Sequence, residues 1–172
     1  MMNRTDSLPE TVSIEDMMNC RDRRVSLQQE MLEKHHAPLI SFCMNIPGPV
    51  KTNDAIRRAF NEGTELIYSA LHEDEISILD VSEIHEKTGD ELMLCVNADA
   101  ANLKARMSRI EDTHPLGRLF DIDIINVDGT KLSRERYRKC LLCERQAQDC
   151  ARARRHSADE LFAKINEMLS RS

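Results

Sequence analysis

The segment GRLFDIDI, residues 117–124, alternates apolar with acidic side chains. The apolar side chains point to one side of an extended chain, whereas Asp121 and Asp123 point to the other. This period of two predicts a β-strand with one face packed on a core and one face free to be polar. The chain must therefore build a sheet whose two faces have different surroundings.

Periodicity along the rest of the chain predicts the order strand, helix, strand, strand, helix, strand. The corresponding segments are a strand in 38–46, a helix from Asn53 or Asp54 to about His72, a hairpin in 76–98, a helix in 99–113 and a strand in 117–129. This order is typical of an α+β, ferredoxin-like βαββαβ sheet with both helices on one face. In that topology the first and last strands are neighbours, and the aspartates project from the open face.

Two further segments flank this core. Residues 13–34 lack Gly and Pro and predict an N-terminal helix, with a break near Ser26 left open. Residues 131–172 form a Cys-rich helical segment, in which Ser157 and Glu160 predict a capping box. We interpret 1–172 as a single domain with its α/β core in 38–130.

Composition limits the class of protein and its partners. The 172 residues are 41% hydrophobic and 31% charged, which is typical of a globular chain. The net charge of -6 argues against nucleic acid as the main partner, because nucleic-acid binding needs clustered cations. No apolar run approaches the roughly 20 residues that span a bilayer, and we expect a cytoplasmic protein with no membrane partner.

The aspartate pair has two interpretations. Residues two apart on a strand have Cα atoms about 6.5 Å apart, close enough for Asp121 and Asp123 to share a Mg²⁺ ion. Asn45 of the first strand is expected to lie beside them and is a candidate substrate ligand. A solvated sheet face explains the two carboxylates equally well from periodicity alone, although Asp is disfavoured inside strands.

Candidate phosphate ligands lie in two loops. The loop NIPGPVKTND holds Gly48 between prolines and places Lys51 before a helix N-terminus, where backbone N–H groups favour anions. Arg57 follows in the first turns of that helix. His114 and Arg118 precede the aspartates. Ordinary turns with solvated basic residues remain the alternative.

The C-terminal cysteines follow the pattern C-x2-C-x6-C-x5-H, formed by Cys140, Cys143, Cys150 and His156. The first pair has the spacing with which two thiolates share one tetrahedral Zn²⁺. The pattern predicts a structural zinc site without a catalytic role. Three reduced thiols without metal are the alternative in a reducing compartment.

Three separated motifs carry a resemblance to a known family: MNIPGPVK with IRRAFNEG, then EDTHPLGRLFDIDI, then CLLC with CARARRHS. Over about residues 38–165 the chain resembles the holo-citrate-lyase synthases of the CitX type, the apo-citrate lyase phosphoribosyl-dephospho-CoA transferases. The resemblance implies transfer of 2'-(5''-triphosphoribosyl)-3'-dephospho-CoA to a serine of the citrate lyase acyl carrier protein (gamma subunit), with release of pyrophosphate.

The resemblance also implies roles for particular residues. Asp121 and Asp123 become catalytic Mg²⁺ ligands, and either could accept the serine proton. Arg118 and Lys51 become contacts to phosphate, and His114 becomes a catalytic candidate whose role is not defined. The ferredoxin-like prediction differs from the classical nucleotidyltransferase architecture, so the chemistry would be convergent.

Two expectations concern partners. The basic run Arg152, Arg154 and Arg155 is a docking candidate for an acidic carrier protein, and a solvated helix start is the alternative. The alternative function is that of a non-catalytic module that binds a carrier protein or a nucleotide-like ligand and whose C-terminal segment is held together by zinc.

Overall fold

The computed structural model describes residues 10–171, so the first nine residues and Ser172 of the predicted domain lie outside the described residues. The helices are α1 Ile14–His35, α2 Asp54–Glu73, α3 Ala100–Thr113, α4 Ala147–Arg152 and α5 Ala158–Leu169. The strands are β1 Leu39–Met44, β2 Ile78–Glu86, β3 Gly89–Val96 and β4 Phe120–Ile125. Within residues 10–171, no helix has the length and apolar character needed to cross a membrane.

Side-chain caps start four of the helices where the sequence predicts. Ser13, Asn53, Asp99 and Ser157 each accept a hydrogen bond from a backbone N–H in the first turn. The caps of α1 and α5 are full capping boxes, because the third helical residue also accepts from the cap N–H. Helix α1 is continuous, so it has no break at Ser26.

The four strands form one antiparallel sheet in the order β2-β3-β1-β4. The α+β prediction is thereby confirmed, and β1 and β4 are neighbours as expected. Asp121 lies opposite Cys43, and Asp123 opposite Ser41. Strand β4 is an edge strand, and its outer backbone groups need partners from elsewhere in the chain.

Helices α2 and α3 cover one face of the sheet and enclose the main apolar core. Phe42 of β1 stacks on Phe60 of α2 with ring centroids 5.0 Å apart, and Phe120 of β4 packs edge-on at 5.5 Å. Gly63 lets α2 approach this cluster, because a Cβ atom there would lie 2.5 Å from the Phe42 ring. The apolar side of β4 is therefore buried as its alternation predicts.

The opposite face is not open, which corrects the sequence prediction. Helix α1 crosses it, with Met31 and Leu32 in a second apolar cluster that includes Leu39 and Cys95. Further along α1, Arg24 pairs with Glu91 of β3. The sequence predicted the helix α1 but not the surface that it covers. Asp121 and Asp123 remain half-buried at the β4 side of this face.

Residues 126–156, which we call the edge segment, run back along the outer side of β4. Leu132 donates its backbone N–H to the Ile124 carbonyl at 2.9 Å, and Arg138 donates to the Phe120 carbonyl. Within this segment, all of which the structure describes, the buried residues are Cys140 and Cys150. The segment thus closes the sheet edge without an apolar core of its own.

Candidate active site

A cleft of about 620 Å³ lies between β4 and the edge segment, and we call it the aspartate cleft. Asp121, Asp123 and Asn45 line it from the sheet. The edge segment contributes several cationic side chains, namely Lys131, Arg134, Arg136 and Arg138, and the aromatic ring of Tyr137. Two carboxylates thus face a basic wall across a space large enough for a phosphate chain.

The two aspartates have different surroundings. Burial, together with the neighbouring charge of Asp123, raises the pKa of the Asp121 carboxyl. The Cys43 thiol lies 3.9 Å from an Asp121 oxygen. Asp123 instead forms an ion pair with Lys131 at the mouth of the cleft. Two adjacent carboxylates on one strand are a typical arrangement for holding a cation.

Two buried charged side chains of α3 hold the strand between the aspartates. Glu111 accepts the backbone N–H of Ile122 at 2.9 Å, and Lys104 donates to the Ile122 carbonyl at 3.2 Å. They replace the neighbouring strand that an edge lacks and keep the edge from pairing elsewhere. Because Ile122 stands between Asp121 and Asp123, this clamp also sets the position of both carboxylates.

Glu111 further links the clamp to the edge segment. Its carboxylate lies 2.8 Å from Arg138 and 3.3 Å from Arg134. Burial raises the pKa of Glu111 and lowers that of Lys104, and the opposing charges around each group counteract the shift. Sequence reasoning missed this cluster, although Lys104 and Glu111 are seven residues apart on the buried face of α3.

A second cleft of about 600 Å³, the arginine cleft, adjoins the first and shares Asn45, Arg138, Ala147 and Ala151 with it. Arg118 and Arg154 line it, as does Pro47 of the proline-glycine loop. Within residues 10–171, the guanidinium of Arg118 forms no ion pair and no hydrogen bond. Burial and the charge of Arg138 lower the pKa of its guanidinium. A half-buried cation without a partner is suited to receive an anionic ligand.

The C-terminal cysteines and histidine meet beside the arginine cleft. One ligand atom from each of Cys140, Cys143, Cys150 and His156 lies within 4.8 Å of the others, so the group could hold a metal ion such as Zn²⁺. The Cys143 and Cys150 sulfurs are 3.5 Å apart, and all three thiols are free. Burial raises the pKa of the Cys140 thiol, but hydrogen bonds from the backbone N–H groups of Leu142 and Cys143 and from the other two thiols together lower it below its ordinary value.

The proline-glycine loop lies beyond the N-terminal end of β4. Gly48 has φ of 83°, a left-handed conformation that favours glycine, and a Cβ atom there would meet nothing within 4 Å. The Lys51 ammonium donates to the Ile46 carbonyl at 2.7 Å. Burial and the charge of Arg21 lower the pKa of Lys51. Neither Gly48 nor Lys51 lines the two clefts.

Two further candidates lie elsewhere. Arg57 forms an ion pair with buried Asp90 at 2.8 Å, on the β3 side of the sheet. His114 stacks on Phe120 with ring centroids 5.4 Å apart and lies 3.0 Å from Glu62, on the helix-covered face. The structure therefore brings together Asp121, Asp123, Asn45 and Arg118, and it places Arg57 and His114 apart from them.

Comparison with known proteins identifies the family. Residues 12–172 match the family CitX, apo-citrate lyase phosphoribosyl-dephospho-CoA transferase. A protein of Vibrio cholerae serotype O1 (strain M66-2), named probable apo-citrate lyase phosphoribosyl-dephospho-CoA transferase, is 42% identical over 163 residues, 92% of each chain. The transferase of Citrobacter koseri is 35% identical over 92% of this chain and 88% of its own, and that of Escherichia coli O1:K1 is 36% identical over 92% and 89%. The resemblance read from the motifs is confirmed, and the chain belongs to the CitX family of transferases.

Proposed function

We propose that this enzyme transfers 2'-(5''-triphosphoribosyl)-3'-dephospho-CoA to a serine of the citrate lyase acyl carrier protein and releases pyrophosphate. The family match supports a citrate lyase phosphoribosyl-dephospho-CoA transferase over a non-catalytic binding module. The observation that carries the proposal is the pair of adjoining clefts. One end presents two carboxylates, and the other presents the unpaired cation Arg118.

The chemistry is a nucleotidyl transfer. The serine oxygen of the carrier protein attacks the phosphorus nearest the ribose, and the bond from that phosphorus to the pyrophosphate oxygen breaks. The serine proton passes to a carboxylate of the cleft, Asp121 or Asp123. A phosphodiester and free pyrophosphate are the products. We propose that Arg118 and Arg138, which line the arginine cleft, bind the triphosphate oxygens.

The donor set of the aspartate cleft fits Mg²⁺. Asp121 and Asp123 offer carboxylate oxygens and Asn45 an amide oxygen, which are the ligand types that this hard cation prefers. The ion pair between Lys131 and Asp123 would have to open. When bound, Mg²⁺ would neutralise charge on the phosphoryl oxygens and on the leaving pyrophosphate.

Other residues serve the two substrates. Tyr137 is 79% exposed beside the aspartate cleft and offers an aromatic surface on which the dephospho-CoA adenine can stack. Arg152, Arg154 and Arg155 are exposed and suit an acidic carrier protein. We propose no catalytic role for His114 or Arg57, since both have partners away from the clefts. Lys51 and Gly48 shape the loop that precedes α2.

Two finer assignments accompany this function. We assign the sheet to the ferredoxin-like class, supported by the order β2-β3-β1-β4 and by two helices on one face. The nucleotidyl-transfer chemistry would then have arisen independently of the classical nucleotidyltransferase fold. We place the reaction in the cytoplasm, supported by six thiols that are all free.

The test is pyrophosphate release from purified enzyme, triphosphoribosyl-dephospho-CoA, Mg²⁺ and apo carrier protein. Asp121→Asn and Asp123→Asn should each lower the rate about a hundredfold or more, because they remove charge that the transition state needs. Asp22→Asn, the same change at an exposed position of α1, is the matched control and should retain the rate. If both cleft variants release pyrophosphate at the wild-type rate, the assignment of this site is wrong.

A further inference from the structure

The side chains of Cys140, Cys143, Cys150 and His156, which we call the Cys3His group, are spaced like the ligands of one metal ion. In a tetrahedral site with Zn–S bonds of about 2.3 Å, the sulfurs lie about 3.8 Å apart. The observed distance between the Cys143 and Cys150 sulfurs is 3.5 Å, far longer than the roughly 2.05 Å of a disulfide. The backbone N–H of Leu142 donates to the Cys140 sulfur at 3.5 Å, a contact that stabilises a thiolate ligand.

His156 provides a second, independent indication. Its Nε2 atom is buried and has no hydrogen-bond partner. A buried polar atom without a partner costs free energy, so native structures satisfy such atoms with protein groups, water or ions. A metal ion shared with the three sulfurs would satisfy this nitrogen.

The surroundings explain what an ion would contribute. The edge segment has one helix of 6 residues, α4, and otherwise consists of turns and isolated bridges. Its buried residues are the cluster members Cys140 and Cys150, so apolar burial alone gives it little order. Yet this segment supplies Arg134 and Arg138 to the aspartate cleft and Arg154 to the arginine cleft.

We propose that Cys140, Cys143, Cys150 and His156 bind one Zn²⁺ ion and that this ion orders the edge segment as the basic wall of the substrate clefts. Four protein ligands close the coordination shell, so the ion takes no part in the chemistry. Three thiolates around one Zn²⁺ ion leave the site with a net negative charge. The prediction that zinc loss weakens substrate binding rests on the proposed function, whereas zinc binding itself does not.

The first experiment measures metal content by mass spectrometry on protein purified from zinc-supplemented cells under reducing conditions. We expect about one zinc per chain in the wild type. Cys143→Ser and His156→Gln should lose it. Cys95→Ser removes a buried thiol of the second apolar cluster and should retain the zinc, which controls for general damage. Cobalt substitution should give thiolate-to-cobalt charge-transfer absorption in the wild type and in Cys95→Ser, and not in the two cluster variants.

The second experiment tests whether zinc orders the edge segment and whether that order affects substrate binding. Removal of zinc should raise the rate of tryptic cleavage within 131–156 about tenfold, while the sheet remains resistant. In Cys143→Ser the KM for triphosphoribosyl-dephospho-CoA should rise while kcat changes little. Reduced metal-free protein that takes up zinc no more tightly than Cys143→Ser would overturn the site, and equal cleavage with and without zinc would overturn the ordering role. If no version releases pyrophosphate but zinc still protects the segment, the proposed function fails and the zinc site stands.

Discussion

The aspartate cleft joins two regions that are stabilised differently. The sheet region, residues 39–125, buries a continuous apolar cluster between the sheet and helices α2 and α3. The edge segment is held by ion pairs and hydrogen bonds to that region, by a partly buried Leu132 and by the Cys3His group. Apolar burial stabilises the sheet region by itself, whereas the edge segment depends on a few specific polar contacts. One wall of the cleft therefore belongs to the apolar core, and individual polar contacts position the other.

The largest expected effect comes from truncating an apolar side chain in each of the two regions. Phe42→Ala removes a buried ring that contacts two other rings, and it should lower the free energy of unfolding by about 4 kcal/mol. Leu132→Ala in the edge segment removes a partly buried side chain and should cost about 1 kcal/mol. Urea unfolding followed by circular dichroism measures both. Equal losses for the two variants would contradict the difference in burial between the regions.

Much of the sheet region could be predicted because burial of one face of a strand or helix places apolar residues at a regular spacing in the sequence. The alternation Phe120, Ile122, Ile124 located β4, and cap residues such as Asn53 and Asp99 located helix starts. The prediction of an open second sheet face was wrong because the sequence predicts the helix α1 but not the surface that it covers. That information lies in contacts such as Arg24 with Glu91, which are 67 positions apart.

The candidate site could be predicted in part for the same reason. Asp121 and Asp123 were predicted as site residues because they are the acidic half of a strand alternation, and Arg118 because it lies close to them in the chain. Lys104, Glu111 and Arg138 were missed, because their roles depend on the path of the edge segment along β4. That segment carries no periodic apolar signal from which its path could be read.

The next prediction tests the contact between the two regions. Glu111→Gln leaves Arg138 without its buried carboxylate partner and should cost about 3 kcal/mol in unfolding free energy. Asp112→Asn, the adjacent residue, breaks an ion pair of a 63% exposed carboxylate with Arg134 and should cost less than about 1 kcal/mol. Urea unfolding at neutral pH compares the two. Similar small losses would mean that the edge segment does not depend on Glu111.

A third prediction concerns pH and the sheet wall of the cleft. The pKa of Asp121 is raised by burial and by Asp123, so its carboxylate binds protons at a pH where an ordinary aspartate would not. Mg²⁺ binding requires the ionised form, and its affinity should fall about tenfold per pH unit below that raised pKa. Calorimetric titration with Mg²⁺ at several pH values measures this. An affinity that is independent of pH would place the metal elsewhere.

The same shift has a consequence for stability. A carboxyl whose pKa is raised by folding stabilises the fold fully below its unfolded value of 3.8, and that contribution is lost as pH rises through the folded pKa. Asp121→Asn should therefore raise the Tm of the metal-free protein at neutral pH, and the gain should vanish below pH 3.8. Addition of Mg²⁺ should reverse the order by stabilising the wild type alone.

The smallest expected effect comes from removing a capping box. One box starts α1, which packs on the sheet, and the other starts α5, directly after the edge segment. Ser13→Ala at α1 and Ser157→Ala at α5 each remove a hydroxyl that accepts a first-turn N–H, and each should cost about 1 kcal/mol. Ser157 directly follows His156, so its loss should also speed tryptic cleavage of the edge segment, whereas Ser13→Ala should not. At α1, hydrogen bonds from the backbone N–H of Ser13 and from Lys87 lower the pKa of Asp16 to about 2. The contribution of Asp16 to stability is therefore present above pH 3.8 and is lost as the pH falls towards 2. Faster cleavage in both variants would show that the edge segment responds to overall stability rather than to its own few contacts.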